Sequence, residues 1–137
     1  MTYDFTAARD HFAARNAFTT GPHELHALIE AKAPLQVVDV RYPGDFRASH
    51  IPGAVNLPKN QWDAPAKLSK DKPVYLYCYN PQCHLAAEAA SKLVARGFAV
   101  IEMEGGFSAW EAFGQPVVTS APAAAAAACM RVERRRP

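Results

Sequence analysis

The chain reads as an α/β protein with a mostly parallel central sheet flanked by helices, and three observations carry that prediction. Short apolar, β-branched or aromatic runs (Leu35–Val40, Val74–Cys78, Phe98–Met103) have strand length. Segments with helical spacing of apolar residues lie between and before them, the clearest running from about Cys83 to Arg96. Strands that alternate with helices form layered, mainly parallel sheets. In such sheets ligands bind beyond the carboxyl ends of the strands.

Each element follows in order. Phe5, Ala8, Phe12 and Phe18, spaced among charged residues, predict a short amphipathic N-terminal helix. Thr20-Gly21-Pro22 breaks it and opens a second helix, with Pro22 near its first position and Leu25, Leu28 and Ile29 as its stripe. That helix ends before Pro34. After the strand Leu35–Val40, Pro43 opens a short helix around residues 44–48, Ile51-Pro52-Gly53 turns, and Ala54–Leu57 is a short strand. Part of Asn60–Leu68 is expected to be helical. Leu85, Ala86, Ala89, Ala90, Leu93 and Val94 give the helix after the second buried strand its apolar face, with Gly97 as its C-terminal cap. Gly105-Gly106 leads into a last short helix with Phe107 and Trp110.

The expected organisation is a helical extension over 1–19, one domain over 20–114, and a Pro-, Ala- and Arg-rich tail over 115–137 without a fixed fold. The alanine run Ala123–Ala128 is too short to be stable as an isolated helix.

The 137 residues suffice for one core without staples. A formal net charge of +2 is too small to argue for nucleic acid, and the excess sits in Arg131, Arg134, Arg135 and Arg136, read as a solubilising end. No apolar run approaches a membrane span. The first residues lack the pattern of a signal peptide, and three cysteines, Cys78, Cys83 and Cys129, read as thiols of a reducing, cytoplasmic compartment.

Chemistry concentrates at Cys78. It follows an apolar strand and precedes a loop that enters a helix, where backbone N–H groups make a nest for negative charge. The helix dipole is expected to lower the thiol's pKa and make the nucleophile available near neutrality. A buried structural cysteine is the alternative reading.

Beyond these residues, the chain resembles the rhodanese-like family over nearly all of residues 20–113. Val37-Val38-Asp39-Val40-Arg41, Pro43, Asp45-Phe46, His50 to Ala54 and Asn56-Leu57-Pro58 are similar to its first signature, Val74–Cys78 to its active-site strand, and Gly105-Gly106-Phe107 with Trp110 to its closing signature. The resemblance implies a sulfurtransferase. Cys78 would accept a sulfane sulfur from a persulfide or thiosulfate donor, carry it as a persulfide, and pass it to a thiol or protein acceptor. No cofactor is needed, and neither metal, membrane nor nucleic acid is expected.

The loop Cys78-Tyr79-Asn80-Pro81-Gln82-Cys83-His84 departs from the pattern of many members, which carry two arginines there. Without them charge-assisted bonds to an anionic donor are lost, and Pro81 has no N–H to give. The arginine that clamps phosphate in cysteine phosphatases is absent as well. Tyr79, Asn80, Gln82, Cys83 and His84 are the candidate loop contacts to substrate, with Tyr79 as a candidate pocket wall, and Asp39 and Arg41 are read as a supporting local pair. Cys83 is either a resolving thiol or a packed small residue. The spacing Cys-x4-Cys-His fits no closed zinc motif. Two rival readings stand beside the transferase: a dithiol/disulfide module of Cys78 and Cys83, and a non-catalytic rhodanese-like domain that binds a protein partner.

Overall fold

A computed structural model describes residues 2–119. Among these residues five strands form one sheet, β1 (Thr19–Thr20), β2 (Gln36–Asp39), β3 (Val55–Asn56), β4 (Val74–Tyr77) and β5 (Val100–Met103). Their order is β1-β5-β4-β2-β3 and every pairing is parallel. The helices are α1 (Phe5–Phe18), α2 (Pro22–Glu30), α3 (Pro43–Ala48), α4 (Leu85–Ala95) and α5 (Gly106–Ala112), with a 3-10 turn at Lys59–Gln61. The predicted fold class holds.

The period of two along β4 divides the interior. Val74 and Leu76 face one way and pack with Ala86, Ala89 and Leu93 of α4, with Val100, and with the buried Trp62. Tyr77 faces the other way, against Leu25 of α2 and Phe107 and Trp110 of α5, with Tyr75 partly buried beside it. Cys78, the first residue past β4, continues the α4 side and belongs to that core. Full burial of such apolar side chains contributes roughly 1.5–3 kcal/mol each.

Several expectations need correction. The strands are shorter than read, because the residues at their ends turn into loops, and only Lys59–Gln61 of the region near Asn60–Leu68 is helical. Thr19 and Thr20, the latter read as the start of the break Thr20-Gly21-Pro22, pair with Glu102 and Met103 as an edge strand. The N-terminal helix forms where expected, but it buries none of its residues. Phe5, Phe12 and Phe18 are all exposed, at 78%, 52% and 64%. Asp4 caps this helix by accepting from the Ala7 N–H at 2.9 Å, and Arg15 reaches Glu104 at 3.2 Å. Helix α4 begins at Leu85, two residues later than the sequence suggested, so Cys83 lies in the loop and His84 occupies the N-cap. Gly97 takes the left-handed conformation (φ 89°) that ends α4.

Of the stretch read as tail, residues 115–119 are described. The Trp110 indole donates to the Pro116 carbonyl at 2.8 Å, and His50 and Val118 form an antiparallel bridge. Val117 and Val118 stay exposed, outside the core. The alanine run, Cys129 and the terminal arginines lie outside the described residues.

Candidate active site

Strands β2, β4 and β5 deliver three groups of residues to the carboxyl edge of the sheet. The first is a buried polar cluster. The Asp39 carboxylate receives Arg41 Nη2 at 2.8 Å, Arg41 Nε at 3.1 Å, the Arg41 backbone N–H at 2.9 Å and the Tyr77 hydroxyl at 2.7 Å. Arg41 also donates to the Ser49 carbonyl at 2.5 Å, and its guanidinium lies 4.1 Å from the Phe107 ring centroid. Both charges are buried, Asp39 at 0% exposure and Arg41 at 4%. Burial works against the Arg41 charge, but the hydrogen bonds and charge of Asp39 outweigh it and hold the guanidinium's pKa above its ordinary value. Burial, and then the adjacent Asp39 carboxylate, push the Tyr77 phenol well up. Asp39 and Arg41 therefore pair locally, as one sequence reading had it. Tyr77 completes the cluster and accepts from the Ile51 N–H at 3.2 Å.

The second group is the loop after β4. Its backbone is tied to the start of α5: the Phe107 N–H donates to the Cys78 carbonyl at 2.8 Å and the Ser108 N–H to the Tyr79 carbonyl at 2.9 Å. This contact requires Gly106. It sits at φ 65°, and a Cβ there would lie 2.6–2.8 Å from Asn80 N, Tyr79 C and Cys78 O. The closing Gly-Gly-Phe thus acts as a backbone clamp on the loop.

The third group surrounds the thiol. Cys78 is 3% exposed and lines a cavity of about 400 Å³ together with Asn80, Cys83, His84, Glu102 and Glu104. The Cys78 S–H points to the Cys83 carbonyl, 3.4 Å away, with the Asn80 carbonyl at 4.0 Å. Burial, and then Cys83, push the Cys78 thiol up to about 11, while backbone hydrogen bonds from Ala86 and Asn80 pull the other way. The expected lowering of this pKa is overturned. The helix start does contribute, through Ala86, but desolvation outweighs it.

Of the loop residues singled out, Asn80, Cys83 and His84 line the cavity and Tyr79 and Gln82 do not. Tyr79 turns away from the thiol. Its hydroxyl donates to Asp45 and accepts from the Tyr42 N–H at 3.1 Å, and its ring faces Arg41 at 5.6 Å. Gln82 is exposed, and its backbone N–H donates to the Asn80 side chain at 3.0 Å, closing the turn. The sequence reading missed Glu102 and Glu104. Their position at the carboxyl end of a strand was the available signal.

A parallel sheet that presents a cysteine on a strand-to-helix loop, over a small cavity, defines a class of cysteine-centred α/β domains. A rhodanese-like domain model matches residues 21–113, and the chain belongs to that family. It is 39% identical over 84 residues to the thiosulfate sulfurtransferase GlpE of Pseudoalteromonas translucida, covering 59% of this chain and 77% of that protein. It is 34% identical over 87 residues to the HTH-type transcriptional regulator Rv0324 of Mycobacterium tuberculosis, covering 63% of this chain but only 38% of the regulator. The BH2092 protein of Bacillus halodurans superposes with a TM-score of 0.79 at 31% identity, over 85% of this chain and 88% of that structure. Among the described residues no helix is long and apolar enough to cross a membrane.

Proposed function

We propose that this domain is a sulfurtransferase in which Cys78 carries the transferred sulfur. The observation that supports it best is the cavity over the Cys78 sulfur, at the carboxyl edge of the sheet, beside the backbone of Asn80 and the start of α4, which favours the thiolate. The Cys78 thiolate attacks the outer sulfur of a sulfane donor. A new S–S bond forms, the donor's S–S bond breaks, and the donor leaves with the electron pair as sulfite or a thiolate. An acceptor thiolate then attacks the outer sulfur of the persulfide and returns the electron pair to Cys78. Similarity to GlpE supports this chemistry, and the missing loop arginines point to a thiol persulfide over thiosulfate as the better donor. The unit we assign to it spans residues 20–114, with donor and acceptor drawn from a reducing, cytoplasmic compartment.

One observation favours a second reading. The Cys78 S–H points to the Cys83 carbonyl at 3.4 Å, and both cysteines line the same cavity. A Cys83 thiolate that attacked the inner sulfur of a Cys78 persulfide would release hydrosulfide and leave a disulfide, following thiol–disulfide exchange. Intact-mass measurement after incubation with sulfane donors separates the two. A gain of one sulfur on Cys78, lost in Cys78→Ser, is the expected result. A loss of two hydrogens linking Cys78 to Cys83 would favour the dithiol pair, and wild-type turnover by Cys78→Ser would sink the assignment.

A further inference from the structure

The cavity over Cys78 has an unusual charge for a site that handles sulfur anions. Glu102 and Glu104 line it, and no lysine or arginine does. Strand β5 sets this up. Val100 and Glu102 are two residues apart and share a face, and Val100 packs in the same core as Cys78. Glu102 therefore stands where that face reaches the cavity, half-buried, opposite His84 at the start of α4. Glu104 has a counterion in Arg15 at 3.2 Å, whereas the Glu102 carboxylate has no hydrogen bond or ion pair among the described residues. Burial and then the Glu104 charge disfavour its ionised form, and His84 favours it. A cation delivered to the cavity would relieve both costs.

We propose that Glu102 determines the specificity of the Cys78 site, selecting as sulfur acceptor a small aminothiol, whose ammonium group pairs with this carboxylate, over thiols that carry an anion. The inference rests on the persulfide reading above and names the acceptor class for it. The ammonium rests against Glu102 while the acceptor sulfur, as thiolate, attacks the outer sulfur of Cys78–S–SH. The new S–S bond belongs to the acceptor persulfide, the old one breaks, and Cys78 leaves as the thiolate with the electron pair and takes its proton from water. No electrons are exchanged with a third partner. An ammonium beside a thiol also favours the thiolate that the step requires. An anionic acceptor meets the same carboxylate as repulsion, with no arginine to offset it.

The test uses the full-length protein loaded with persulfide by polysulfide and desalted. Loss of the persulfide is followed by intact mass with three acceptors of similar size: cysteamine (cationic), 2-mercaptoethanol (neutral) and mercaptoacetate (anionic). Rates are expressed per acceptor thiolate. One charge pair at this range in a half-exposed site corresponds to roughly a tenfold preference on each side of neutral. The expected order is cysteamine over 2-mercaptoethanol over mercaptoacetate. In Glu102→Gln the cysteamine-to-mercaptoacetate ratio should fall close to one. The same ratio in the wild type should shrink in high salt, which keeps the test decisive if the variant fails to fold. A flat series in the wild type, or a ratio unchanged in Glu102→Gln, overturns this inference and leaves the transferase standing. If Cys78 never takes up sulfur, both fall together.

Discussion

The two halves of the sheet's carboxyl edge treat their polar groups in opposite ways. Around Asp39 each charge is answered: Arg41, Tyr77, Ser49 and backbone amides close the network, and no buried side-chain nitrogen or oxygen among the described residues lacks a partner. Around Cys78 the thiol meets only backbone groups of its own loop and of the start of α4, and Glu102 has no ion pair among the described residues. The first half is finished structure. The second leaves the Glu102 carboxylate without an ion pair beside the cavity. A fully satisfied network fixes loop positions, and such a network is high in cost only when a member is removed. The Asp39 cluster holds the segment from Arg41 to Ile51 and stacks Arg41 on Phe107 of α5, whose first turn in turn holds the Cys78 loop. One half is the support on which the other is aimed.

The sharpest way to break this contrast is to remove one partner from the closed half. Asp39→Ala leaves the Arg41 charge buried and unpaired, at a cost of about 3–5 kcal/mol in urea unfolding. A loss below about 1 kcal/mol would show that Arg41 finds water and that the cluster is not structural. By contrast, Cys78→Ser should unfold at nearly the wild-type urea concentration.

The open half should show itself in pH dependence. With the Cys78 thiol pushed up to about 11, the thiolate is a small fraction at neutrality. Persulfide uptake from an uncharged donor should rise about tenfold per unit between pH 7 and 9, with no plateau where an unperturbed thiol would give one. The stability sign agrees. The folded state holds this proton more tightly than the unfolded polypeptide, so the contribution is complete below the ordinary thiol range and fades as pH climbs toward 11. A plateau in uptake near pH 8 would mean that the backbone hydrogen bonds from Ala86 and Asn80 outweigh burial.

A smaller effect sharpens the link between the halves. Gly106→Ala sets a methyl group against the backbone of residues 78–80 and should cost about 1–3 kcal/mol. It should also slow persulfide uptake by displacing the loop. Unchanged uptake, followed by mass in a variant that still folds, would show that the loop does not depend on the clamp.

The alternation of apolar strands and helical stripes was enough to read the parallel α/β fold and to place Cys78 at the correct edge. Short-range chemistry was also legible: Asp39 and Arg41 are two residues apart and pair directly. What escaped depends on contacts between distant segments. Tyr77 meets Asp39 from 38 positions away, and nothing in a strand's own pattern announces that its tyrosine hydroxyl is spoken for. Glu102 looked like part of a strand, and only the parallel register beside β4 brings it to the thiol's cavity. The thiol's pKa was misjudged because proximity to a helix start can be read from residue order, while the desolvation that overrules it cannot. Helix α1 misled in the other direction. Its spacing predicted an amphipathic helix, and the helix forms, yet Phe5, Phe12 and Phe18 remain exposed.

The clamp between α5 and the loop has a consequence for how this domain can change. Both bonds that anchor residues 78 and 79 run from a backbone N–H to a backbone carbonyl, so they are indifferent to the side chains these residues carry. The turn that follows is closed at Asn80, whose side chain accepts from the Gln82 N–H and whose carbonyl accepts from the Cys83 N–H. The exposed residues Pro81, Gln82 and His84 can therefore be exchanged, with new charges or new donors, while Cys83 stays packed against the core. Reactivity and architecture are written in different parts of the same segment, and a protein built this way can acquire a new substrate by a handful of substitutions while keeping its fold.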